Sequence, residues 1–298
     1  MSERDGNTAL PFTGERFTPE CVREIRYEHW HRYAWAAGLV SGRRVLDCAC
    51  GEGYGTRLLA ERAAFVDGVD IDHDTVAHAT QRYAHPRVAF HQASALALPF
   101  DDHSHDIVVS FETLEHLAEQ DALLAEFRRV LKPDGFLILS TPDKRVYSDL
   151  TGYRNEFHVR ELYRDEFEAL VGAHFPALRL FGQKLMFHSV MWPLAGEVQR
   201  VAHLTEVGAC KVVRGDRPSM DAVYLVAVAA AAEAHLPETG ALSLFCDQAE
   251  SVYAHYNDEV AKHIRAGQLL AERETEIERL KAQRAPIWTR LLARLKRR

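Results

Sequence analysis

The sequence predicts an α/β fold built around a mostly parallel sheet, and two observations lead to this prediction. From residue 43 to residue 140, short apolar strand patterns alternate with helical patterns, which is typical of parallel sheets. Two of these strands end in an acidic residue, and the first runs directly into a glycine-rich turn that opens a helix. Ligands of doubly wound folds bind at the carboxyl edge of the sheet, so we expect the functional site there.

The first strand, its turn and the start of the next helix occupy Val45 to Thr56. The strand ends near Asp47, and the turn carries Gly51 and Gly53. Glycine lets the backbone pass close beneath a ligand and adopt a positive φ. The helix that follows offers N–H groups without partners in its first turn. A turn of this kind also occurs in dinucleotide-binding folds.

The second strand narrows the choice of ligand. Asp70 ends this strand and lies 17 residues after Gly53, which is where a doubly wound fold places a carboxylate on a ribose diol. Ala49 replaces the first glycine of the dinucleotide fingerprint, and Asp47 precedes the turn. Both features favour a pocket for S-adenosylmethionine over a cradle for a pyrophosphate.

With these motifs, residues 40–230 resemble the class I S-adenosylmethionine-dependent methyltransferases. The loop and fourth strand at 98–110 and the turn and fifth strand at 131–140 are similar as well. The resemblance implies a Rossmann-like, mostly parallel seven-stranded sheet with helices on both faces, and S-adenosyl-L-methionine as cofactor. Ser94 stands where many relatives carry an acid that holds the adenine amine. The implied cofactor-binding residues are Asp47, Ala49, Gly51, Gly53, Asp70, Ile71, Ser94, Ala95 and Phe111.

A second group of polar residues follows the fourth strand. Glu112, Glu115 and His116 are spaced i, i+3 and i+4, so on a helical turn they share one face. His158 is expected to reach the same edge of the sheet. The order Glu-x-x-Glu-His, Ser-Thr-Pro, and a His with a Glu three residues later resembles the small-RNA 3′-terminal 2′-O-methyltransferases. That resemblance implies a metal ion held by Glu112, Glu115, His116 and His158, and these ligands suit Mg²⁺ or Mn²⁺.

Interpretations of these residues without a metal ion stay open. A Leu-Glu-His segment occurs at this place in many methyltransferases of this fold that have no established metal. In one alternative, Glu112 caps the helix or lines the cofactor pocket, and His116 only satisfies a backbone group. In the other, His158 acts as a general base without a metal. His158 and His116 are therefore the candidate catalytic residues.

Composition restricts the partners. The chain of 298 residues has a formal net charge of −7 and a pI near 6.1, which argues against a nucleic-acid acceptor. The first residues lack an apolar signal region, and the apolar run at 222–232 is too short to span a bilayer. We therefore expect a cytoplasmic protein, with a peripheral contact on the inner face of the membrane. Five scattered cysteines fit neither a disulfide framework nor a zinc ribbon.

Three segments are predicted along the chain: an N-terminal cap at 1–40, a methyltransferase domain at 41–232, and a helical tail at 233–298. The cap resembles the front end of methyltransferases that modify bacterial surface polysaccharides. Two sets of residues are candidates for lining the binding site of the methyl acceptor, the first in the cap and the second in a loop. They are Arg16, Tyr27 and His31, and Tyr147, Tyr153 and Arg154. Residues 184–220 are predicted to be an irregular insertion near the acceptor, followed by a strand at 221–230.

The tail is predicted to be helical from Ala241 to Arg284. Residues at seven-residue spacing, namely Tyr256, His263, Leu270 and Ile277, indicate a short coiled coil and a homodimer through 250–284. A solvated helix is the alternative. Residues 285–298 combine an apolar stripe, Trp288, Leu291, Leu292 and Leu295, with arginines on the other face. This pattern favours an interfacial amphipathic helix, with a disordered basic tail as the alternative.

These observations predict an O-methyltransferase that acts on a hydroxyl of a sugar or surface polysaccharide, with or without help from a metal. One alternative is a methyltransferase for a small molecule, such as a quinone precursor or a natural product. The other is a non-catalytic scaffold that recruits partners through its helical tail.

Overall fold

The structure is a computed structural model that describes residues 24–191, 194–195, 203–206, 212–216, 218–240, 242–284 and 295. It divides into two compact units, Met1–Phe245 and Cys246–Arg298. The predicted boundary lay at 232/233. Residues 233–240 instead pack on the first unit, where Leu236 is buried and Glu233 pairs with Arg179.

Nine strands and five helices make up the described part of the first unit. The strands are β1 (Arg44–Cys48), β2 (Phe65–Asp70), β3 (Val88–Gln92), β4 (His105–Phe111), β5 (Leu131–Pro142), β6 (Ala177–Gln183), β7 (His203–Glu206), β8 (Val212–Gly215) and β9 (Tyr224–Ala230). The helices are α1 (Glu24–Ala37), α2 (Tyr54–Leu59), α3 (His73–Arg82), α4 (Gln120–Val130) and α5 (Arg164–His174). Single turns of 3₁₀-helix span Leu114–His116 and Glu233–His235, and a π-turn spans Arg145–Asp149.

Seven strands form one sheet in the order β3-β2-β1-β4-β5-β9-β6. All neighbours are parallel except β9, which runs antiparallel to both β5 and β6. This confirms the predicted Rossmann-like class I methyltransferase fold. The strand order reverses between β1 and β4, and ligands of open α/β sheets bind at such a switch point.

The core lies on both faces of the sheet because the central strands place apolar side chains on each of their two faces. In β4, Ile107 and Val109 join one buried cluster with α1 and α2, while Val108 joins the cluster under α4 and α5. Such continuous apolar runs are typical of strands covered on both faces. The aromatic ring of Phe127 is fully buried in the second cluster, and truncating such a ring to alanine costs about 3–5 kcal/mol.

Two elements differ from the prediction. The insertion at 184–220 is not wholly irregular, because β7 and β8 pair as an antiparallel ribbon. In the second unit, helix α6 spans Ser251–Arg284 and so begins ten residues later than predicted. Glu250 has a φ of 49°, which breaks any helix before it, and Asp247 accepts a hydrogen bond from the Ser251 N–H at 2.9 Å. Within the described ranges, no helix is both long and apolar enough to cross a bilayer.

Candidate active site

The glycine-rich turn at the end of β1 has an unusual backbone. Ala49, Gly51 and Gly53 have φ values of 58°, 53° and 95°, a region that side chains with a Cβ rarely adopt. A Cβ on Gly53 would lie 2.8 Å from the Ala79 side chain and 2.9 Å from the Phe90 ring. The turn therefore packs tightly against α3 and β3, and the positive φ of Ala49 is a backbone feature that is often found at ligand-binding sites.

Asp70 stands beside this turn at the end of β2. Its Oδ2 accepts a hydrogen bond from the Gly51 N–H at 2.9 Å, and its Oδ1 accepts one from the Asp72 N–H at 3.0 Å. The next residue, Ile71, has 70% of its surface exposed although it is apolar. The loop with Ser94 and Ala95 is tied to the same place, because the Ala93 N–H donates to the Asp70 carbonyl. The structure thus brings four predicted cofactor residues to one edge of the sheet.

Two other predicted cofactor residues point their side chains into the protein. The Asp47 carboxylate accepts hydrogen bonds from the Tyr33 hydroxyl at 3.0 Å and from Thr56 Oγ1 at 2.6 Å. Burial raises the pKa of Asp47 to about 7, against the lowering effect of these two hydrogen bonds. The Phe111 ring packs edge-on against Tyr33, with centroids 5.0 Å apart. Both side chains therefore hold β1, α1 and β4 together around the turn.

Glu52, which the sequence analysis did not single out, fixes the turn from below. This buried carboxylate accepts hydrogen bonds from Arg82 Nη1 at 2.6 Å and from the Tyr83 hydroxyl at 3.2 Å, and it lies 3.1 Å from His78 Nε2. The signal was present in the sequence. An acid between two turn glycines was followed by His78 and Arg82, which are four residues apart on α3.

Three of the four predicted metal ligands come together. Atoms of Glu115, His116 and His158 lie within 4.8 Å of one another, the one such group of potential ligands in the described part of the chain. Glu115 is buried, and its Oε2 accepts a hydrogen bond from Thr141 Oγ1 at 3.1 Å. Its Oε1 has no hydrogen-bond partner among the described residues and lies 4.0 Å from His116 Nε2. Burial, with a smaller contribution from the nearby Glu112 charge, raises the pKa of Glu115 well above its usual range.

The hydrogen bonds of both histidines define their tautomers. His116 Nδ1 lies 3.0 Å from the Phe157 carbonyl, which only accepts, so Nδ1 carries the proton. His158 Nδ1 lies 2.5 Å from Glu161 Oε1 and donates to it. Because Asn155 Oδ1 accepts from the Phe157 N–H, its amide nitrogen faces His158 Nε2 at 2.9 Å and donates to it. In the neutral rings, each Nε2 therefore carries the lone pair, as a metal ligand or a general base requires.

Glu112 lies outside this group, and the prediction that it shares a helical face with Glu115 and His116 was wrong. Its φ is 51°, so the backbone turns away and the 3₁₀-turn starts only at Leu114. The Glu112 carboxylate instead accepts a hydrogen bond from Ser140 Oγ at 2.6 Å. It also lies 3.8 Å from the guanidinium of Arg32.

The candidate acceptor residues lie in two places, apart from Arg16, which falls outside the described residues. On α1, His31 Nε2 lies 2.9 Å from Ser243 Oγ, and Tyr27 packs edge-on against Phe245. In the loop after β5, Tyr147 stacks on the His158 ring with centroids 5.4 Å apart. Tyr153 is exposed and contacts Tyr147, while Arg154 is exposed nearby in sequence.

A cavity of about 920 Å³ opens where β5, β6 and β9 meet at the carboxyl edge of the parallel strands. Helix α1 contributes His31, Arg32 and Trp35 to its wall, and β6 contributes Phe181 and Gln183. Both ends of the 184–220 insertion also line it. Both ends of the predicted insertion thus lie at this cavity, and its place near an acceptor site stays a prediction.

Comparison with known proteins supports the predicted enzyme class. Residues 46–139 match a family model described as a methyltransferase domain. A probable S-adenosylmethionine-dependent methyltransferase of Mycolicibacterium smegmatis is 41% identical over 167 residues, which are 55% of this chain and 64% of that protein. A Mycobacterium tuberculosis protein of the same description is 41% identical over 165 residues, 54% of this chain and 60% of that protein.

A fatty-acid O-methyltransferase of Mycolicibacterium smegmatis is 35% identical over 101 residues, 33% of this chain and 37% of that protein. The chain thus spans less than two thirds of the length of each of these relatives. The segment that matches the methyltransferase domain model includes the turn and the strands that carry Asp70 and Phe111.

Proposed function

We propose that the protein is an S-adenosylmethionine-dependent O-methyltransferase that acts on a hydroxyl group of a sugar or surface polysaccharide. The observation that supports this most is the arrangement of Glu115, His116 and His158 at the same sheet edge as the strained turn. A hydroxyl must lose a proton when it takes a methyl group, and this cluster offers a site for that proton or for a cation that acidifies the hydroxyl.

The cofactor fits the turn and its neighbours. Asp70 presents a carboxylate whose position is fixed by two backbone N–H groups, and it would hold the ribose hydroxyls. Ile71 offers an exposed apolar surface for the flat adenine ring. The bound cofactor supplies an electrophilic methyl group on a sulfonium. The protein's part is to hold acceptor oxygen and methyl in line, which accounts for much of the rate in such reactions.

His158 is the residue best placed to take the proton. Its Nε2 carries the lone pair, and Glu161 at Nδ1 holds the ring in that tautomer and stabilises the imidazolium that forms. The second oxygen of Glu161 accepts a hydrogen bond from Ser148 Oγ at 2.5 Å, which fixes the carboxylate. The Asn155 amide that contacts His158 Nε2 would move away so that the acceptor hydroxyl can donate to this nitrogen.

The same cluster also fits a divalent cation. Glu115 Oε1 is buried without a partner among the described residues, and a carboxylate with two imidazoles is a donor set that suits Mn²⁺ well and Mg²⁺ less well. Glu115, His116 and His158 would hold the ion, which would lower the pKa of the acceptor hydroxyl and orient a vicinal diol.

Turnover with and without metal separates these two roles. We expect EDTA to abolish methyl transfer to a glycan panel, and Mn²⁺ or Mg²⁺ to restore it. Calorimetry with Mn²⁺ alone should show one site that Glu115→Gln removes, while Glu112→Gln retains it. Full activity in the presence of chelator would contradict a requirement for a metal ion and would leave His158 as the candidate general base. The absence of a methyl mass increase on every glycan would contradict the sugar acceptor.

A lipid-like acceptor is the second candidate. Large apolar side chains in the insertion are exposed, namely Phe187, Val190, Met191, Leu194, Leu204 and Val212. A relative with a matching segment is a fatty-acid O-methyltransferase. Exposed apolar surface of this kind favours contact with a hydrophobic molecule. The same mass assay, run with fatty acids and glycolipids, distinguishes the two acceptor classes.

The helical tail supports two further proposals about partners. Tyr256, Val260, Leu270 and Ile277 of α6 are all exposed, so we propose a homodimer through 250–284. Gly267 and Glu274 interrupt the seam and would weaken it. Residues 285–294 and 296–298 lie outside the described residues. Their sequence is the basis for the proposed membrane contact through 285–298.

A further inference from the structure

The cavity between α1, β6 and the ends of the insertion has a buried cation at its inner wall. Arg32 is only 3% exposed although it lines the cavity. Its guanidinium lies over the Tyr224 ring, 4.8 Å from the centroid, and its Nη1 donates to Gln183 Oε1 at 2.8 Å. Gln183 is itself fixed, because its Nε2 donates to the Glu28 carbonyl.

This guanidinium has unused hydrogen-bonding capacity. Arg32 Nε and Nη2 are buried and have no hydrogen-bond partner among the described residues. Its nearest carboxylate, Glu112, lies at 3.8 Å and already accepts a short hydrogen bond from Ser140. Buried donors are normally satisfied, and a guanidinium bonds most strongly to carboxylate or phosphate oxygens. The missing partner is therefore best supplied by an anionic group of a ligand, with a small rotation of the side chain.

The rest of the cavity wall combines apolar and charged side chains. Trp35 and Phe181 pack edge to face with centroids 5.2 Å apart, and Met186, Met220 and Leu242 add apolar surface. The other cationic side chains of the wall are exposed: Arg145 is paired with Asp221 at 2.8 Å, and Arg164 and Lys184 also lie at the surface. Arg32 is therefore the buried cation of this wall.

The inner wall also borders the candidate catalytic residues. Tyr224, beneath Arg32, lies 6.1 Å from the ring of Tyr147, which stacks on His158. Arg32 itself reaches Glu112 at the end of β4. Two side chains, Tyr224 and Tyr147, therefore connect Arg32 to His158.

The geometry points to a cavity for an amphiphile with a single anionic group. Its anionic oxygens accept hydrogen bonds from Arg32, and its apolar chain lies along Trp35, Phe181 and Met186 towards the insertion. A volume of about 920 Å³ lies within the usual range for small-molecule sites. That this amphiphile carries the methyl-accepting oxygen rests on the second candidate of the proposed function, the lipid-like acceptor, whereas its binding does not.

Calorimetry on the full chain tests the binding. The probes are decanoate, decyl phosphate and the neutral decyl glucoside, each below its critical micelle concentration. We expect at least one anion to bind tenfold or more tightly than the glucoside, and the carboxylate and phosphate arms tell which headgroup fits. Arg32→Gln should reduce anion affinity to that of the glucoside. Arg26→Gln, on the same helix but outside the cavity, should leave the preference unchanged.

Several results would overturn the inference. One is equal affinity for all three probes in the unaltered protein, and another is an anion preference that persists in a folded Arg32→Gln variant. If Arg32→Gln does not fold, Met186→Trp fills the half-buried outer wall instead, and unchanged affinity for the anions would count against the cavity. A parallel titration with S-adenosylmethionine keeps the two proposals apart. If the unaltered protein does not bind S-adenosylmethionine, the proposed function is contradicted. If it binds S-adenosylmethionine but shows no preference for the anionic probes, only the inference about the cavity is contradicted.

Discussion

Replacement of Asp70 by alanine should weaken S-adenosylmethionine binding while the protein stays folded. The carboxylate ends β2 beside the turn and is 8% exposed, so it faces the ligand edge of the sheet. Its bonds from the Gly51 and Asp72 N–H groups leave further lone pairs on both oxygens for hydroxyl donors. A hydrogen bond to a charged group contributes about 1.5–3 kcal/mol.

That energy corresponds to a loss of affinity of about 10-fold to 150-fold, since 1.4 kcal/mol is a factor of ten. The assay is isothermal calorimetry with S-adenosylmethionine and its demethylated product, because both carry the ribose. Asp74→Ala is the matched control, since this carboxylate lies four residues away on α3 and is 89% exposed. Thermal melting monitors folding. Unchanged affinity in folded Asp70→Ala would refute the assignment of the ribose site, and an equal loss in Asp74→Ala would indicate a general charge effect.

Three further predictions concern Glu52 beneath the turn, the buried Asp47 and the helical tail. Glu52→Gln removes the charged partner of Arg82 beneath the turn. The free energy of unfolding measured in urea should therefore fall by about 1.5–3 kcal/mol, and cofactor binding should weaken. An unchanged unfolding midpoint would contradict a stabilising role of Glu52 beneath the turn. Burial raises the pKa of Asp47 to about 7, above the unfolded value of about 4. The folded state therefore holds an extra proton, and stability should fall as pH rises from about 4 to 7, by up to ~4 kcal/mol. Asp47→Asn should flatten that part of the curve, and an identical slope in both proteins would refute the shift. Truncation after Gln283 should release the protein from anionic vesicles and leave methyl transfer to a soluble acceptor intact; equal sedimentation of both forms would exclude the membrane contact.

The part of the site formed by local sequence was predictable. A strand that ends in an acid and continues into a glycine-rich turn places Gly51 and Asp70 through backbone geometry alone, and the Gly51 N–H to Asp70 bond at 2.9 Å is consistent with that placement. The mostly parallel sheet was predictable as well, because alternating strands and helices are typical of parallel sheets.

Contacts between distant segments could not be predicted in this way. The i, i+3 spacing of Glu112 and Glu115 suggests a shared face only if the backbone between them is helical, and the positive φ of Glu112 breaks that condition. Nothing in the local pattern shows that Arg32, 80 positions earlier in the chain, meets Glu112. Asp47 is a similar case, since its partner Tyr33 comes from the preceding helix.

The separation of the two glutamates affects how the site works. Arg32 and Ser140 both contact the Glu112 carboxylate, so Glu112 has partners that do not require a metal. Glu115 accepts a hydrogen bond from the neutral Thr141 hydroxyl on one oxygen, and its other oxygen is buried without a partner among the described residues. A buried carboxylate in that state takes up a proton or a cation. Three protein ligands with open positions are typical of catalytic metal sites, so the departure of Glu112 from the predicted set of four leaves room for an acceptor oxygen on the ion. The same departure places Arg32 between the cavity and β4. Binding of an anionic acceptor and placement of its oxygen at the catalytic edge would therefore depend on one ion pair, Arg32 with Glu112.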